Sequence, residues 1–296
     1  MTDLQAALLS ADVANEVSVM RFPSVESLVG SHLGHLERRN IRPSTIAQRR
    51  RAIARLRRHL YPLHILDGTT EDLIGHLDRG LSAEARATEI SHLRGFYRWA
   101  LLEGHIDVDP TARLERPRLQ PRLPRPMADG DLAMAMDLAP ERIRPMLFLA
   151  AYTGLRAQDM CGLRADDLIW SAEPPLLIVR NGKGGKQRVL PIGEPLAQAL
   201  GLCPRQGWLF PRHDDLPGHT PAHRVSQLCN QYLHSIGIAS TLHQIRHWFG
   251  TKFYIASGRD LRATQEAMGH ASPVSTAGYT WVDQSAAAEA ISRIRV

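Results

Sequence analysis

The sequence contains few cysteines, few lysines and no long apolar run, and each shortage excludes a class of protein. Its three cysteines, Cys161, Cys203 and Cys229, are odd in number and far apart, which argues against a disulfide framework. No stretch approaches the ~18 to 20 consecutive apolar residues that a membrane-spanning helix needs. The first residues lack the basic and apolar regions of a secretory signal. We therefore expect a cytoplasmic protein with no membrane segment.

Positive charge is abundant but uneven in kind. The 296 residues include 36 lysines and arginines against 30 acidic residues, for a formal charge of +6. Only Lys183, Lys186 and Lys252 are lysines, so most of the positive charge is guanidinium. A GC-rich coding bias explains this skew, and so does phosphate binding, because a guanidinium matches two phosphate oxygens in a fork. Length and 44% apolar content predict a folded protein of two domains.

Residues 24–116 carry a helical hydrophobic pattern. Apolar residues recur at every third or fourth position in four stretches, of which the first runs from Val25 to Leu36. Ser44 and Ser82 are placed to cap two of these helices. We expect an all-α bundle of four helices, preceded by a short arm over residues 1–23.

The second predicted helix has a dense set of arginines. A solvated helix face explains them, and contact with a nucleic-acid backbone explains them equally well. We select three as candidate nucleic-acid contacts. They are Arg49, Arg50 and Arg55.

A proline-rich segment, residues 117–126, separates this bundle from the rest of the chain. Its four prolines prevent a helix, so we place the domain boundary there. Residues 127–296 have a mixed pattern, in which β-type runs at 176–179 and 188–192 flank a glycine-rich segment typical of a hairpin turn. We predict a mostly α protein whose second domain is mainly α with a small β-hairpin sheet.

Metal and nucleotide sites find little support. His243 and His247 have the i, i+4 spacing of zinc ligands, but Gln244 stands where a metalloprotease has its general base. Residues 182–186 lack the spacing of a phosphate-binding P-loop. The chain also lacks the carboxylate cluster of a two-metal nuclease. We therefore expect no metal and no cofactor.

A set of polar residues in five short motifs is more informative. Each residue alone has an ordinary explanation, such as a surface charge or a packed ring. In chain order they are Arg156 in Thr-Gly-Leu-Arg, Lys183 in Gly-Lys-Gly-Gly-Lys, His243 and Arg246 in His-x-x-Arg-His, His270 after glycine, and Tyr279. Their order and spacing resemble the tyrosine recombinase (phage integrase) family over essentially the whole chain.

That resemblance implies a function for each domain. Residues 24–116 are expected to form a helical (SAM-like) core-DNA-binding domain, and residues 127–296 the catalytic domain. The six motif residues are implied to be the catalytic set, acting without metal or ATP. Asp159 stands where the family commonly has glutamate, and it is still able to support Arg156.

The resemblance also implies the chemistry. Arg156 and Arg246 would neutralise the phosphate oxygens in the transition state, while Tyr279 attacks and forms a 3′-phosphotyrosine. We expect His243 to accept the tyrosine proton and the arginines to lower the tyrosine pKa.

The remaining roles follow in the same way. Lys183 would protonate the departing 5′-oxygen, and His270 would hydrogen-bond the phosphate. The implied assembly is a homotetramer on two double-stranded DNA sites, which exchanges strands through a Holliday junction. Accessory DNA-bending proteins are possible partners. The C-terminal stretch 285–296 has the pattern of an amphipathic helix that docks into a neighbouring protomer, although packing on its own core also explains it.

Three alternatives remain open at this stage. A recombinase-like fold serves equally as a DNA-binding regulator without catalysis, although such a protein has no need of Tyr279. A topoisomerase of type IB shares the chemistry but acts as a monomer. Within the recombinases, a mobile-element integrase and a chromosome-dimer-resolving, Xer-type enzyme are both consistent with the motifs.

Overall fold

The chain forms two compact units, Met1–Pro121 and Arg122–Val296, which divide within the predicted linker. The computed structural model describes residues 23–119, 124–180, 187–213, 216–270 and 276–279, together with Ser292. The predicted arm up to residue 22 and Lys183 lie outside the described residues. So does the predicted C-terminal helix, apart from Ser292.

The described part of the first unit is a helical bundle, and local sequence sets most of its helix ends. Ser82 accepts a hydrogen bond from the backbone N–H of Ala85, which confirms the predicted cap. The cap predicted at Ser44 is wrong because Pro43, whose backbone lacks an N–H, already occupies the first helical position. The helices are α1 (Val25–Arg38), α2 (Pro43–Leu60), α3 (Thr70–Leu77) and α4 (Ala83–Leu102).

Aromatic and aliphatic side chains fill the interior of this bundle. Phe96 and Tyr97 are fully buried, and the Tyr97 hydroxyl donates to the carbonyl of Ile65 at 2.6 Å. His32 lies in the same interior beside Phe96 and Trp99, with ring centroids 5.4 and 5.0 Å away. Neither of its ring nitrogens has a hydrogen-bond partner. Burial, with Arg49 and His35 nearby, lowers its pKa to about 4.

A buried carboxylate organises the polar part of the bundle. Glu89 accepts hydrogen bonds from Nε and Nη2 of Arg55, at 3.1 and 2.5 Å, and from Nη2 of Arg79 at 2.9 Å. Nε2 of His76 lies 3.1 Å from the same carboxylate. Burial raises the pKa of Glu89, but the hydrogen bonds from His76 and Arg55 outweigh it and lower that pKa to about 2.

The second unit is also mainly helical, as predicted. Its small sheet is antiparallel in the order β1-β2-β3, and Leu177 pairs with both Leu168 and Leu190. The two predicted strands are confirmed, whereas the two-residue β1 has no pattern that sequence reasoning detects. Its elements are α5 (Asp129–Asp137), α6 (Arg144–Thr153), α7 (Ala157–Cys161), β1 (Leu168–Ile169), β2 (Leu176–Val179), β3 (Arg188–Pro191), α8 (Glu194–Leu200), α9 (Ala222–Ser235), α10 (Leu242–Ala256) and α11 (Leu261–Met268).

Helix α6 is the centre of the second unit. It is buried along most of its length and packs against α10 and α8, as its apolar sequence predicts. The helix ends at Gly154, which has φ +59° and therefore a left-handed backbone. A Cβ at this position would lie 2.3 Å from a ring carbon of Phe249. Glycine at this position allows the C-terminus of α6 to pack directly against α10. Arg156, two residues later, therefore lies beside α10.

Among the residues that the structure describes, no helix combines the length and the hydropathy needed to cross a bilayer.

Candidate active site

The ends of three helices meet in the second unit. Residues after α6, the first turns of α10 and the end of α11 come together with the helical turn 276–279. Five of the six predicted catalytic residues lie there. They are Arg156, His243, Arg246, His270 and Tyr279.

Arg246 is deeply buried, with only 2% of its surface exposed. It donates through Nη1 to the carbonyl of Gly154 and through Nη2 to the carbonyl of Met268, the latter at 2.8 Å. Both carbonyls lie at helix C-termini, where the helix dipole stabilises a cation. Burial, with help from Arg156, lowers its pKa to about 9, which still leaves the guanidinium charged at neutral pH.

Arg156 lies at the rim of the same site. Its Nη1 donates to the carbonyl of Gly269 at 3.4 Å and lies 4.0 Å from Oδ2 of Asp159. Oδ2 also accepts from the Arg156 backbone N–H at 3.4 Å, which fixes the first turn of α7. A third arginine, Arg188 of β3, approaches the same carboxylate oxygen through Nη2 at 3.4 Å.

The side chain of Tyr279 is enclosed by its neighbours. It is 1% exposed, and its hydroxyl lies 3.4 Å from Nδ1 of His247. A Cβ at Gly250 would lie 2.3 Å from Cζ of the ring, so only glycine leaves room for the tyrosine. Burial raises the pKa of Tyr279 to about 12, and the nearby Arg246 and Arg156 offset only part of that rise. The arginines thus lower this pKa, as expected, but burial outweighs them in the chain without DNA.

Three histidines surround the tyrosine and the arginines, and burial lowers the pKa of each. The pKa of His270 falls to about 3 and that of His247 to about 4, while that of His243 falls as well. Arg246 adds to the lowering at all three. These imidazoles are therefore neutral at pH 7.

Contacts between the rings order the histidines around Tyr279. The rings of His243 and His247 lie 4.5 Å apart, and the ring of His270 is stacked on that of Tyr279 at 6.2 Å. Nδ1 of His270 lies 2.9 Å from Oγ1 of Thr276. Within the described part of the chain, no group of three or more histidine, cysteine or acidic residues has the arrangement of a metal site.

Comparison with known proteins decides the family. The model of the phage integrase family matches residues 131–286. The chain is 36% identical to the tyrosine recombinase XerC of Xylella fastidiosa (strain M23) over 219 residues, which cover 69% of this chain and 72% of that protein. The chain belongs to the phage integrase family of tyrosine recombinases. It is a site-specific recombinase, an enzyme of DNA strand exchange.

Other relatives extend the similarity across both units. The tyrosine recombinase XerD of Mycobacterium leprae (strain TN) is 33% identical over 295 residues, covering 85% of this chain and 90% of that one. Two solved structures share the fold. A lambda integrase dimer bound to a COC′ core site has a TM-score of 0.68 at 21% identity, covering 94% of this recombinase and 81% of that chain. XerH bound to a palindromic difH substrate has a TM-score of 0.67 at 20% identity, covering 88% and 84%.

Two residues of this recombinase's site escaped the sequence reasoning. His247 was considered only as a zinc ligand, although it is the histidine that the structure places beside the Tyr279 hydroxyl, where His243 was expected. Arg188 carried no motif that separated it from the many other arginines. Only the pairing of β3 with β2 brings it beside Asp159.

The three candidate DNA contacts lie on α2 in the first unit, in different environments. Arg50 is exposed. Arg55 is engaged with Glu89. Arg49 is half-buried against Gly95, and its Nε has no hydrogen-bond partner.

Proposed function

We propose that this recombinase cuts double-stranded DNA by attack of Tyr279 on a phosphodiester, with a 3′-phosphotyrosine as the intermediate. The observation that carries the proposal is the convergence of Arg156, Arg246, three histidines and Tyr279 at one site. Positive charge exceeds negative charge there, which suits a phosphate group.

The two arginines neutralise the non-bridging oxygens of the phosphate as charge develops. Arg246 is fixed by two helix ends before DNA arrives, so it needs no reorganisation during the reaction. Arg156 is 28% exposed in its side chain and presents its guanidinium to the incoming phosphate. His270, next to both, donates a hydrogen bond to a phosphate oxygen.

The tyrosine loses its proton to the histidines of α10. In the DNA-free state, His247 lies beside the Tyr279 hydroxyl. The ring of His243 contacts the ring of His247, so the two neutral imidazoles together form the proton acceptor. The arriving phosphate draws the phenol toward the two arginines, which stabilise the phenolate. Lys183 supplies the proton to the departing 5′-oxygen.

The covalent intermediate retains the energy of the broken bond, so rejoining to a different 5′-hydroxyl needs no ATP and no cofactor. Two rounds of this exchange, through a Holliday junction held by a tetramer in the cytoplasm, complete recombination. Residues 285–296 link neighbouring protomers in this proposal, and accessory DNA-bending proteins assist it. Residues 24–116 bind the DNA core site, with Arg49 and Arg50 as contacts, and residues 127–296 carry out the chemistry. Arg55, the third candidate, is held by Glu89 instead.

Covalent capture on DNA tests the proposal. The recombinase is incubated with nicked suicide duplexes from its flanking DNA in the presence of EDTA, and products are separated on a denaturing gel. We expect a protease-sensitive shifted band that Tyr279→Phe abolishes and that the matched variant Tyr254→Phe, in the same apolar cluster, retains. DNA retarded on a native gel with no covalent band would support the non-catalytic regulator. Cleavage by Tyr279→Phe would remove this residue as the nucleophile.

A further inference from the structure

Arg188 occupies the centre of the site without facing the solvent. It is the first residue of β3, and its side chain is 12% exposed. Its Nη1 fills the space beside Gly269, where a Cβ would lie only 1.8 Å from that nitrogen. Its Nε is buried and has no hydrogen-bond partner. Because Nε is shielded and Nη2 faces Asp159, the geometry favours an indirect role for Arg188.

Arg188 pairs with the carboxylate of Asp159, which also attracts the guanidinium of Arg156. Asp159 is 1% exposed in its side chain, and its Oδ2 lies 3.4 Å from Nη2 of Arg188 but 4.0 Å from Nη1 of Arg156. A buried carboxylate beside a single guanidinium closes into a short, fully hydrogen-bonded pair. With Arg188 sharing the charge, the pair between Asp159 and Arg156 stays open.

We propose that Arg188 is a positioning residue, which engages Asp159 and braces the turn at Gly269, so that the Arg156 guanidinium remains available to the DNA phosphate. Without Arg188, the Asp159 carboxylate draws Arg156 inward and holds it as an internal ion pair. This inference rests on the proposed function, because it assumes that Arg156 binds a phosphate.

A charge-rescue experiment separates this role from a merely structural one. In Arg188→Met, we expect phosphotyrosine formation at saturating DNA to slow about 100-fold, the cost of misplacing a reacting group by about 1 Å. The dissociation constant for DNA should change less than about twofold. Adding Asp159→Asn removes the competing charge but keeps an oxygen for the Arg156 backbone N–H. The double variant should recover about tenfold of the lost rate.

The matched control is Arg180→Met. Arg180 follows β2 and pairs with Asp167 as Arg188 pairs with Asp159, but half of its side chain is exposed. Its replacement should leave the cleavage rate within about twofold. If Arg188→Met does not fold, Arg188→Gln in the presence and absence of Asp159→Asn provides the same test, because glutamine also lacks the positive charge. A double variant no faster than the single variant would overturn the inference.

Binding of orthovanadate to the DNA-free recombinase, followed by vanadium NMR, provides a readout that needs no cleavage. We expect Arg188→Met to weaken vanadate binding about tenfold or more and Asp159→Asn to restore it. If the wild type binds vanadate in this pattern but forms no covalent adduct, the proposed function fails and the role of Arg188 stands. Equal binding by wild type and Arg188→Met, or no binding by the wild type, would overturn the role of Arg188.

Discussion

Each unit of the recombinase gathers arginines around a buried carboxylate, but the two units compensate the charge in different ways. In the first unit, two guanidinium groups and an imidazole converge on Glu89, and hydrogen bonds connect every partner to that carboxylate. In the second unit, three guanidinium groups lie around one carboxylate, Asp159, among the residues that the structure describes there. Arg246 is held by the carbonyl oxygens of two helix ends.

The difference separates a structural cluster from the proposed phosphate site. Hydrogen bonds to carbonyls satisfy the donors of a guanidinium but leave its charge unneutralised. The first cluster therefore holds helices α2, α3 and α4 together, whereas the second keeps an excess of positive charge for an anion. Burial of the carboxylate alone does not distinguish the two, because Glu89 and Asp159 are both buried.

Arg246→Lys should have the largest effect, because an ammonium group cannot reproduce the fork that spans two helix ends. We expect phosphotyrosine formation to fall about 1000-fold at saturating DNA, measured by single-turnover cleavage of a suicide duplex. The control is Arg262→Lys, in an exposed i, i+4 pair with Glu266, which should keep the wild-type rate. A rate for Arg246→Lys within about tenfold of wild type would contradict the proposed difference between the Glu89 cluster and the Asp159 cluster.

Glu89→Gln should act on stability instead. Its loss leaves Arg55 and Arg79 without their shared carboxylate and costs about 3 kcal/mol in the free energy of unfolding, measured by chemical denaturation. Because the folded pKa of Glu89 is about 2, below its ordinary value of 4.5, the wild type should lose this stabilisation only as the pH falls from 4.5 towards 2.

The control for this change is Asp78→Asn. Asp78 pairs with Arg86 at the surface of the same bundle, with over half of its side chain exposed, so its loss should cost less than about 1 kcal/mol. Equal losses in the two variants would contradict the idea that the Glu89 cluster holds the bundle together.

Acid sensitivity should trace in part to His32, which the first unit holds neutral. Its pKa in the folded chain is about 4, below the ordinary value of 6.5. Between these two pH values, the unfolded chain therefore binds a proton at His32 and the folded chain does not. Stability should fall as the pH drops from 6.5 towards 4, and His32→Leu should remove roughly 2 kcal/mol of that fall. The measurement is the unfolding free energy of both proteins across this range. Parallel pH profiles would show that other groups set the acid limit.

The smallest effect should distinguish two neighbouring arginines on α2. Arg50→Ala should lower the slope of log affinity against log salt by about 1, because an exposed arginine is able to contact a phosphate. Arg55→Ala should leave the slope unchanged, because Arg55 is committed to Glu89, and should instead lower stability. Titrating DNA binding against salt checks both variants. A smaller slope for Arg55→Ala would reverse the assignment.

Sequence predicted the fold where the pattern is local. Helical periodicity and the Ser82 cap located the bundle, and alternating β-type residues located both strands of the hairpin. Local patterns do not predict a helix start where two neighbouring residues both favour one. Pro43 starts α2, so Ser44 lies inside the helix and does not cap it. Local patterns also fail for β1, whose two residues are too few to carry a period.

The same difference between local patterns and tertiary packing applies to the residues of the site. The short motifs of the sequence select Arg156, Arg246 and Tyr279, and the structure brings these three residues to one site. Arg188 was missed because its partner, Asp159, is brought near only by tertiary packing. The arginines do lower the tyrosine pKa, as the sequence predicts, but the larger rise caused by burial depends on packing that charge composition does not reveal.

The contact between Tyr279 and Gly250 bears on how the recombinase behaves away from DNA. The ring occupies the volume that any side chain at position 250 would need. A phenol enclosed in this way is shielded from water and from small electrophiles, so the free enzyme should resist nitration by tetranitromethane at this residue. The enzyme thus carries its proposed nucleophile in an enclosed form, with the Gly250 backbone against the ring and the rings of His247 and His270 nearby. Attack on a phosphodiester therefore requires that Tyr279 leave this enclosure.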